Sequence, residues 1–259
     1  MKSNGQENKD HIIYIANAGV LIKLGDKKIL IDALSRSDVP LFRSTPDGVY
    51  HQMLNREPPY DGIDFMLITH DHSDHYNQEM VISFLEKTPE TFLVASEGII
   101  SRIRKQAPGL NSNRFYAMDP ALRKSETLTI DGVNIRAMSM QHDGEEFVDV
   151  NNMAFLVDAG KKVLHLGDAA PTLENFLPFF LLDDEVDLLL ANFPYAGVPK
   201  ARKIVRGCIG PKEMAVLHLP DPDKDQWGWT RATRRSHDRN KNDFVKTTFF
   251  YDSGDMLQF

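Results

Sequence analysis

Short runs of apolar residues separated by turn-forming residues occupy the beginning of the chain. The runs cover residues 12–16, 20–24 and 28–32, and Asn17-Ala18-Gly19 and Gly25-Asp26 separate them. Apolar runs of this length between such turn residues are typical of β-strands. The pattern therefore predicts an antiparallel meander of strands.

The pattern changes after the meander. Between Ser35 and Tyr60 the apolar residues give way to polar residues and several prolines, which predicts a long connection with a short helix at residues 48–55. Long connections in compact domains commonly carry function or move. An apolar run at residues 63–69 follows, and after it apolar residues recur with helical spacing. This spacing predicts a helix that begins at Asn77 and ends before Pro89.

The rest of the chain alternates strand-like and helix-like segments. Further strands are predicted at residues 91–95, 115–118, 127–130, 133–140, 153–157, 162–166, 186–191, 214–218 and 247–251, and helices at 97–106, 173–181, 199–208 and 226–236. Strands followed by mixed strand and helix, repeated twice, are typical of two packed sheets covered by outer helices. We therefore predict an α/β fold, with residues 1–10 as a polar tail and residues 11–259 as a single domain.

Composition narrows the setting in which the protein works. The single Cys208 cannot form an intrachain disulfide, and residues 1–10 lack the apolar core of a signal peptide, so we expect a cytoplasmic protein. No apolar stretch reaches the length needed to cross a bilayer, and no membrane span is expected. The net charge of −7 argues against broad electrostatic capture of nucleic acid.

One hexapeptide, His70-Asp71-His72-Ser73-Asp74-His75, concentrates three imidazoles and two carboxylates directly after the apolar run at residues 63–69. Imidazole and carboxylate are the ordinary ligands of zinc and related divalent metals. Where a strand ends abruptly, closely spaced side chains can turn towards one point. The alternative is a solvated polar loop, but the density of ligand-type side chains favours a metal site.

The order His-x-His-x-Asp-His after a strand resembles the signature of the metallo-β-lactamase superfamily. Four further strand-end residues match that family's remaining motifs in order, from Ile12 nearly to the end of the chain: Asp32, His142, Asp168 and His218. The resemblance implies the metallo-β-lactamase fold, a four-layer αββα sandwich of two mixed sheets with outer helices. The opening turn is similar to that of the ascorbate-6-phosphate lactonase-like and N-acyl-phosphatidylethanolamine phospholipase-like branch, where His often stands at the position of Asn17.

The resemblance also implies a site with two divalent metal ions. The implied ligands are His70, His72 and His142 for one ion, Asp74, His75 and His218 for the other, and Asp168 as the bridge. Asp74, Asp168 and His218 are the implied catalytic residues, and Asp32 is expected to support the loop that bears the histidines. Zinc is the first expectation, with manganese or iron as alternatives. Two such ions lower the pKa of a shared water, so that a metal-bound hydroxide can attack the substrate, and Asp74 could also orient it.

Residues that depart from well-known branches exclude some activities. Class B β-lactamases use Cys for the second metal, whereas Cys208 lies ten residues before His218 and is interpreted as a small buried hydrophobe, so β-lactam hydrolysis is not expected. Flavodiiron relatives carry Glu at the position of His72, which disfavours iron redox chemistry. Four other histidines are assigned no role: His165 is predicted to pack within its strand, and His11, His51 and His237 to be solvated.

The segment after His218 is a candidate for substrate binding. Trp227 with Arg231, Arg234 and Arg235 combines aromatic surface with guanidinium groups that suit planar anions. Between residues 200 and 241 basic residues outnumber acidic ones by 11 to 5, which also favours an anionic substrate. The alternative is a solvated helix face for the arginines and a core position for Trp227.

The most specific prediction is a dinuclear metal-dependent hydrolase acting on a phosphodiester or a lactone-type ester of a small or medium-sized anionic substrate. One alternative is a non-catalytic metal-binding or sensor protein on the same fold, which the completeness of the ligand set disfavours. The other is an RNA-processing nuclease, which would need an extended basic surface. The oligomeric state and the identity of the substrate stay open, because the metal ligands set the reaction type and the pocket loops set specificity.

Overall fold

Two seven-stranded sheets form the centre of the computed structural model, which describes residues 9–259. The predicted polar tail at residues 1–10 lies almost entirely outside the described residues. Both sheets are mixed, with antiparallel and parallel neighbours, as the sequence predicts for this fold class.

The first sheet contains the predicted meander. Its strands are β1 (His11–Ala16), β2 (Gly19–Leu24), β3 (Lys27–Ile31), β4 (Phe65–Leu67), β5 (Phe92–Ala95), β6 (Phe115–Ala117) and the last strand of the chain, Met256–Gln258. This last strand follows all strands of the second sheet in sequence but belongs to the first sheet. That last strand pairs antiparallel with β1 at the edge of the sheet. The strands β3 to β6 run parallel, so their carboxyl ends lie along one edge.

The second sheet repeats this arrangement in the other half of the chain. Its strands are β7 (Ser125–Ile130), β8 (Val133–Gln141), β9 (Asn151–Asp158), β10 (Lys162–His165), β11 (Leu188–Asn192), β12 (Glu213–Leu217) and β13 (Lys246–Phe249), so the edge strand Met256–Gln258 is β14. The strands β7 to β10 are antiparallel neighbours, and β10 to β13 are parallel. The predicted hairpin at Asp131 and Gly132 joins β7 and β8.

Helices cover the outer faces of both sheets. The α-helices are α1 (Asp47–Leu54), α2 (Gln78–Lys87), α3 (Glu97–Gln106), α4 (Leu173–Phe176), α5 (Pro194–Gly197), α6 (Pro199–Ile204) and α7 (Trp229–Arg239). Shorter 3-10 turns occur at Ser112–Arg114, Glu145–Phe147, Leu177–Phe179, Leu181–Asp184 and Lys241–Asp243, and a π-helical turn at Val205–Ile209. Among residues 9–259, no helix combines the length and the apolar character that crossing a bilayer requires.

Three buried clusters correspond to the three interfaces between these four layers. Alternate residues of each strand point to opposite faces. In β1, Ile12 lies in the core between the sheets, whereas Ile13 lies in the outer core with α2 and α3. The outer face of the second sheet packs in the same way against α4, α5 and α6. This arrangement confirms the predicted αββα sandwich, and the core shared by both sheets fits a single domain over residues 11–259, which stays a prediction.

Three predicted helices differ from the structure. The helix predicted at residues 199–208 ends at Ile204 and continues as a π-helical turn. The helix predicted at residues 173–181 ends at Phe176 and continues as separate 3-10 turns, because Phe180 adopts a left-handed conformation with φ of 52°. The helix predicted from residue 226 begins at Trp229, since Gly228 is also left-handed and Asp225 accepts hydrogen bonds from the backbone N–H groups of Trp229 and Thr230.

The core between the sheets gives a direct stability prediction. Phe155 in β9 is fully buried there, whereas Phe180 is 72% exposed. Phe155→Ala should therefore lower the free energy of unfolding by about 3–5 kcal/mol, and Phe180→Ala by less than about 0.5 kcal/mol. Urea denaturation of both variants measures the difference. Equal effects would show that Phe155 is not packed between the sheets as described.

Candidate metal centre

All seven predicted metal ligands lie where the carboxyl ends of strands from both sheets meet. His70, His72, Asp74 and His75 follow β4, His142 follows β8, Asp168 follows β10, and His218 follows β12. Backbone hydrogen bonds join the two sheets at this edge, from His218 N–H to the Asn17 carbonyl at 2.8 Å and from Met153 N–H to the Thr69 carbonyl at 3.0 Å. Residues from distant parts of the chain therefore converge at one place.

The ligand-type side chains form three overlapping groups. Within each group the nearest donor atoms lie within 4.8 Å of one another: His70, His72 and His142; His70, His75 and Asp168; and Asp74, His75 and His218. The first and third groups share no residue. The cluster can therefore offer a separate set of three donors to each of two cations.

Asp168 lies between these two sets. Its Oδ2 atom is 3.5 Å from His142 Nε2 in the first set and 3.4 Å from His218 Nε2 in the third, and its Oδ1 atom is 3.4 Å from His75 Nε2. Its turn is held by Asn152, whose Oδ1 accepts the Asp168 backbone N–H at 2.9 Å. One carboxylate thus faces both donor sets.

The outer ring nitrogens of three histidines are already occupied. Asp32 accepts hydrogen bonds from His75 Nδ1 at 2.8 Å and from the Thr69 hydroxyl at 2.7 Å. Because the Thr69 hydroxyl donates to Asp32, it accepts a hydrogen bond from His70 Nδ1 at 2.9 Å. His142 Nδ1 donates to the Asp143 carbonyl at 2.5 Å. Because carboxylate and carbonyl oxygens only accept, each Nδ1 carries a proton, and each neutral ring therefore directs the lone pair of its Nε2 into the cluster.

The inner contacts suit a cation between the side chains. His75 Nε2 lies 3.2 Å from His218 Nε2, and His70 Nε2 lies 3.1 Å from His72 Nδ1. Two ring nitrogens this close need either a proton or a cation between them. The buried Nε2 of His142 makes no hydrogen bond. Together with the carboxylates, this is the donor chemistry of a zinc, manganese or iron site, and the residues present fit such ions.

Without a cation the cluster balances its own charges through shifted pKa values. Burial alone lowers the pKa of His218, but the charge and hydrogen bond of Asp168 and the hydrogen bond of Asp74 outweigh burial and raise it to about 9. The same balance with Asp168 and Asp32 raises the pKa of His75 well above its usual value. Burial lowers the pKa of His70, which stays neutral. The metal-free cluster therefore holds protons on the donors of one set.

Two asparagines that carry no metal-ligand motif support the carboxylates. Asn17 Nδ2 donates to Asp74 Oδ2 and to the Asp74 carbonyl, each at 3.0 Å, and Asn192 Nδ2 donates to Asp168 Oδ1 at 3.3 Å. Both amide oxygens are buried without a partner. In the sequence, Asn17 is notable only because similar proteins often have His at this position. No sequence motif identifies Asn192, because Asp168, to which it donates, is 24 residues away.

The backbone around the cluster is bent into rarely occupied conformations. Asn17, Asp32 and His218 all have positive φ, between 49° and 57°, at the ends of their strands. Gly167 is left-handed as well, and a Cβ atom there would overlap Asn152 Oδ1. Each such non-glycine residue costs about 1–3 kcal/mol, and residues of this kind concentrate at functional sites. The bends turn the side chains from the strands into the cluster.

The cluster opens into a cavity of about 580 Å³. Two phenyl rings lie beside the candidate ligands in this cavity. Phe42 packs edge-on against His218, with 4.3 Å between ring centroids. Phe147 packs against His72 and His142, with 4.9 Å between centroids in each case. Asp38, Val39 and Phe42 come from the long connection predicted between Ser35 and Tyr60. Sequence patterns single out neither ring, because each meets its histidine only in the folded chain.

The structure does not bring the predicted substrate residues to this cavity. None of Trp227, Arg231, Arg234 and Arg235 is among the residues that line it. Arg234 instead stacks on Phe249 at 4.7 Å and donates to the Tyr251 hydroxyl at 2.9 Å. Trp227 is 58% exposed, so the alternative of a core position for it is wrong.

The remaining predictions for single residues have mixed outcomes. Cys208 is buried in the outer core and His165 within its sheet, where His165 Nε2 contacts the Ala18 carbonyl at 2.9 Å. His51 is exposed. His237 was predicted to be solvated, which is wrong: its side chain is 14% exposed because it packs between Phe244 and Phe249.

Comparison with known proteins agrees with this geometry. A family model described as a β-lactamase superfamily domain matches residues 11–192, which include His70, His72, Asp74, His75, His142 and Asp168. A UPF0173 protein of Pyrococcus abyssi is 24% identical over 186 residues, which cover 69% of this chain and 68% of the relative. The family-model match covers six of the seven strands of the first sheet and five of the seven strands of the second.

Solved structures extend the likeness to the whole fold. A possible metal-dependent hydrolase from Veillonella parvula has a TM-score of 0.69 at 15% identity, covering 97% of this chain and 100% of its own. The isothiocyanate hydrolase from Delia radicum gut bacteria has a TM-score of 0.66 at 14% identity, covering 96% and 99%. At these identities the likeness establishes the fold alone.

The raised pKa values predict that metal binding depends on pH. A cation needs the lone pairs of His75 and His218, so binding must displace the protons that these residues hold below their pKa values. The apparent affinity for zinc should therefore increase as the pH rises towards about 9, the pKa of His218. Calorimetric titration in buffers of different ionisation enthalpy should detect about one to two protons released per chain at neutral pH. An affinity that is constant across this range would contradict the description of the cluster, and His51→Gln serves as the control.

The contact between Asn17 and Asp74 gives a second prediction for the site. Asn17→Gly removes the amide donor without adding strain at a left-handed position, and it should weaken zinc binding about 10- to 100-fold. Asn17→Asp should weaken it more, because it places a second carboxylate beside Asp74. Competition with a chromophoric chelator measures both, with the exposed Asn113→Gly as control. Unchanged zinc affinity in both variants would rule out a supporting role for Asn17.

Proposed function

The chain belongs to the β-lactamase superfamily, a superfamily of metal-dependent hydrolases, and we propose that it hydrolyses a phosphodiester or a lactone-type ester at two divalent metal ions. The observation that carries the proposal is the position of Asp168 between two donor sets that share no residue. A carboxylate in that position can offset the repulsion between two neighbouring cations.

Each side chain has a definite task in this proposal. His70, His72 and His142 would hold one cation, Asp74, His75 and His218 would hold the other, and Asp168 would be shared by the two sets. When bound, two cations lower the pKa of a water molecule and stabilise the negative charge that develops on the attacked group.

Two carboxylates and two phenyl rings have further roles. Asp74, held by Asn17 at Oδ2, would accept a hydrogen bond from the attacking water and orient it. Asp32 keeps His75 in the correct tautomer and, through Thr69, does the same for His70. Phe42 and Phe147 restrict the access of bulk water to the histidines beneath them.

Zinc is the first candidate for both positions. Imidazole nitrogen and carboxylate oxygen are common zinc ligands, but manganese and iron accept the same donors, and cellular availability can decide among them. No Cys takes part, since Cys208 is buried in the outer core with α4, α5 and α6. Hydrolysis of β-lactams by a thiolate-containing site is therefore not part of the proposal.

The charge of the cavity bears on the substrate. The residues that line it include Asp38 and Asp71 and, in the described part of the chain, no Lys or Arg. The bound cations would therefore provide the attraction for an anionic group. A cavity of about 580 Å³ suits a small or medium-sized substrate rather than a folded RNA.

The proposal is tested on protein reconstituted with zinc or with manganese. We expect hydrolysis of bis(4-nitrophenyl) phosphate or of a lactone in a panel that also holds a thioester and a β-lactam, with activity lost in a chelator. Asp168→Ala should abolish turnover and lower the metal content, because the two cations lose their shared ligand. Asp26→Ala, an exposed residue of a hairpin turn, serves as the matched control.

Two results would contradict the proposal. Turnover by Asp168→Ala within about tenfold of the unaltered protein would show that Asp168 is not the shared ligand. Full metal content with no hydrolysis of any ester in the panel would instead favour a metal-binding protein without turnover.

A further inference from the structure

Three aromatic rings form a continuous row beside the second sheet. The Phe193 and Trp229 rings lie 5.8 Å apart with an angle of 25° between their planes, and the Trp229 and Trp227 rings lie 4.9 Å apart with an angle of 19°. Exposure increases along the row, to 39% for Trp229 and 58% for Trp227. We call these three residues the aromatic platform.

A cavity of about 310 Å³ opens beside the platform. It lies between α5 and α7, and uncharged residues line it: Phe193, Pro194, Gly197, Val198, Trp229, Ala232 and Thr233. Val198 at its rim is also exposed. Large apolar side chains kept in contact with water around a cavity are typical of a binding site.

The segment that carries Phe193, one ring of the platform, contacts the metal centre and its neighbours. Asn192, directly before Phe193, donates to Asp168 Oδ1 at 3.3 Å, and Tyr195 donates its hydroxyl to the Ala169 carbonyl at 2.7 Å. Further along, Lys200 interacts electrostatically with the Asp143 carboxylate, next to His142. Phe193, which stacks on Trp229, therefore directly follows a residue that donates to Asp168. Trp227 and Trp229 lie outside the cavity of the metal centre, so the substrate would have to extend from that cavity to the platform.

We propose that the aromatic platform binds a planar aromatic group of the substrate while the ester bond lies at the metal centre. This inference rests on the proposed function for the identity of the scissile bond. Trp227 stacks on Trp229 and is 58% exposed, so a further flat ring can extend the row by offset stacking. The guanidinium of Arg231 lies near Gly228, the residue between the two tryptophans in sequence. It could form an ion pair with a negatively charged group of the substrate.

The size of the surface favours a small molecule over a protein partner. The exposed apolar residues of the platform and its rim are Trp227, Trp229 and Val198. A stable protein interface buries about 1,200–2,000 Å² in total, which is far more than three side chains supply. The charged guanidinium of Arg231 lies near Gly228, beside this patch.

Tryptophan fluorescence provides a selective test. The chain contains two tryptophans, and both belong to the platform, so their emission reports on this surface alone. Diphenyl phosphate and diethyl phosphate, which carry the same charge, are titrated into chelator-treated protein and into protein reconstituted with zinc. Diphenyl phosphate should change the emission and bind at least about tenfold more tightly than diethyl phosphate in both forms.

Variants locate the preference. Trp227→Leu and Trp229→Leu each keep one tryptophan as reporter and should reduce the preference for diphenyl phosphate about three- to tenfold. Phe180→Leu, which removes an exposed aromatic ring elsewhere, should leave it unchanged. In a turnover assay with zinc, the two tryptophan variants should raise KM for an aryl ester but not for an alkyl ester.

Each other outcome overturns the inference. Equal affinity for the two phosphates, no binding of either, or a preference that survives both tryptophan variants would exclude an aromatic subsite. Emission that changes with protein concentration alone, together with dimers in sedimentation, would assign the platform to self-association. Hydrolysis without a preference for the aromatic phosphate would contradict the aromatic subsite but not the proposed function. A preference without hydrolysis would contradict the proposed function but not the aromatic subsite.

Discussion

The constraint on which the site depends is the burial of carboxylates and imidazoles at the junction of two sheets. Asp32, Asp74 and Asp168 are all buried, and so are His70, His75, His142 and His218. A charge removed from water costs several kcal/mol unless a partner compensates it. In the metal-free chain raised histidine pKa values provide the compensation. Two divalent cations would provide it without protons, and the same charge would then act on a substrate.

The fold serves this cluster by bringing strand ends together. Parallel neighbours in both sheets place their carboxyl ends at one edge, and backbone hydrogen bonds from His218 to Asn17 and from Met153 to Thr69 join the two edges. Left-handed residues at three strand ends then turn the side chains inward. The strain at these positions is offset by the shared core between the sheets, where alternate residues of both sheets interdigitate. Packing far from the cluster thus fixes the distances within it.

Much of the fold could be predicted from sequence because apolar runs indicate strands. The local spacing of His70 to His75 indicated a metal site, whereas His142, Asp168 and His218 were implied only by the resemblance to a known family. The supporting residues could not be predicted in the same way. Asn152 and Asn192 act on Asp168 from 16 and 24 residues away, and Phe42 meets His218 only after folding. The exposure of single side chains was equally hard to predict from sequence. Trp227 is exposed although a core position was one alternative, and His237 packs between two phenyl rings although it was predicted to be solvated. The edge strand β14 was missed because three residues are too few to show a period.

The central claim is that one carboxylate, Asp168, joins two cations held by separate donor sets. Anomalous diffraction from crystals of the zinc-reconstituted protein tests it most directly. We expect two anomalous peaks about 3.5–4 Å apart, one against His70, His72 and His142, the other against Asp74, His75 and His218, with Asp168 in contact with both. A single peak, or two peaks of which Asp168 contacts neither, would contradict it.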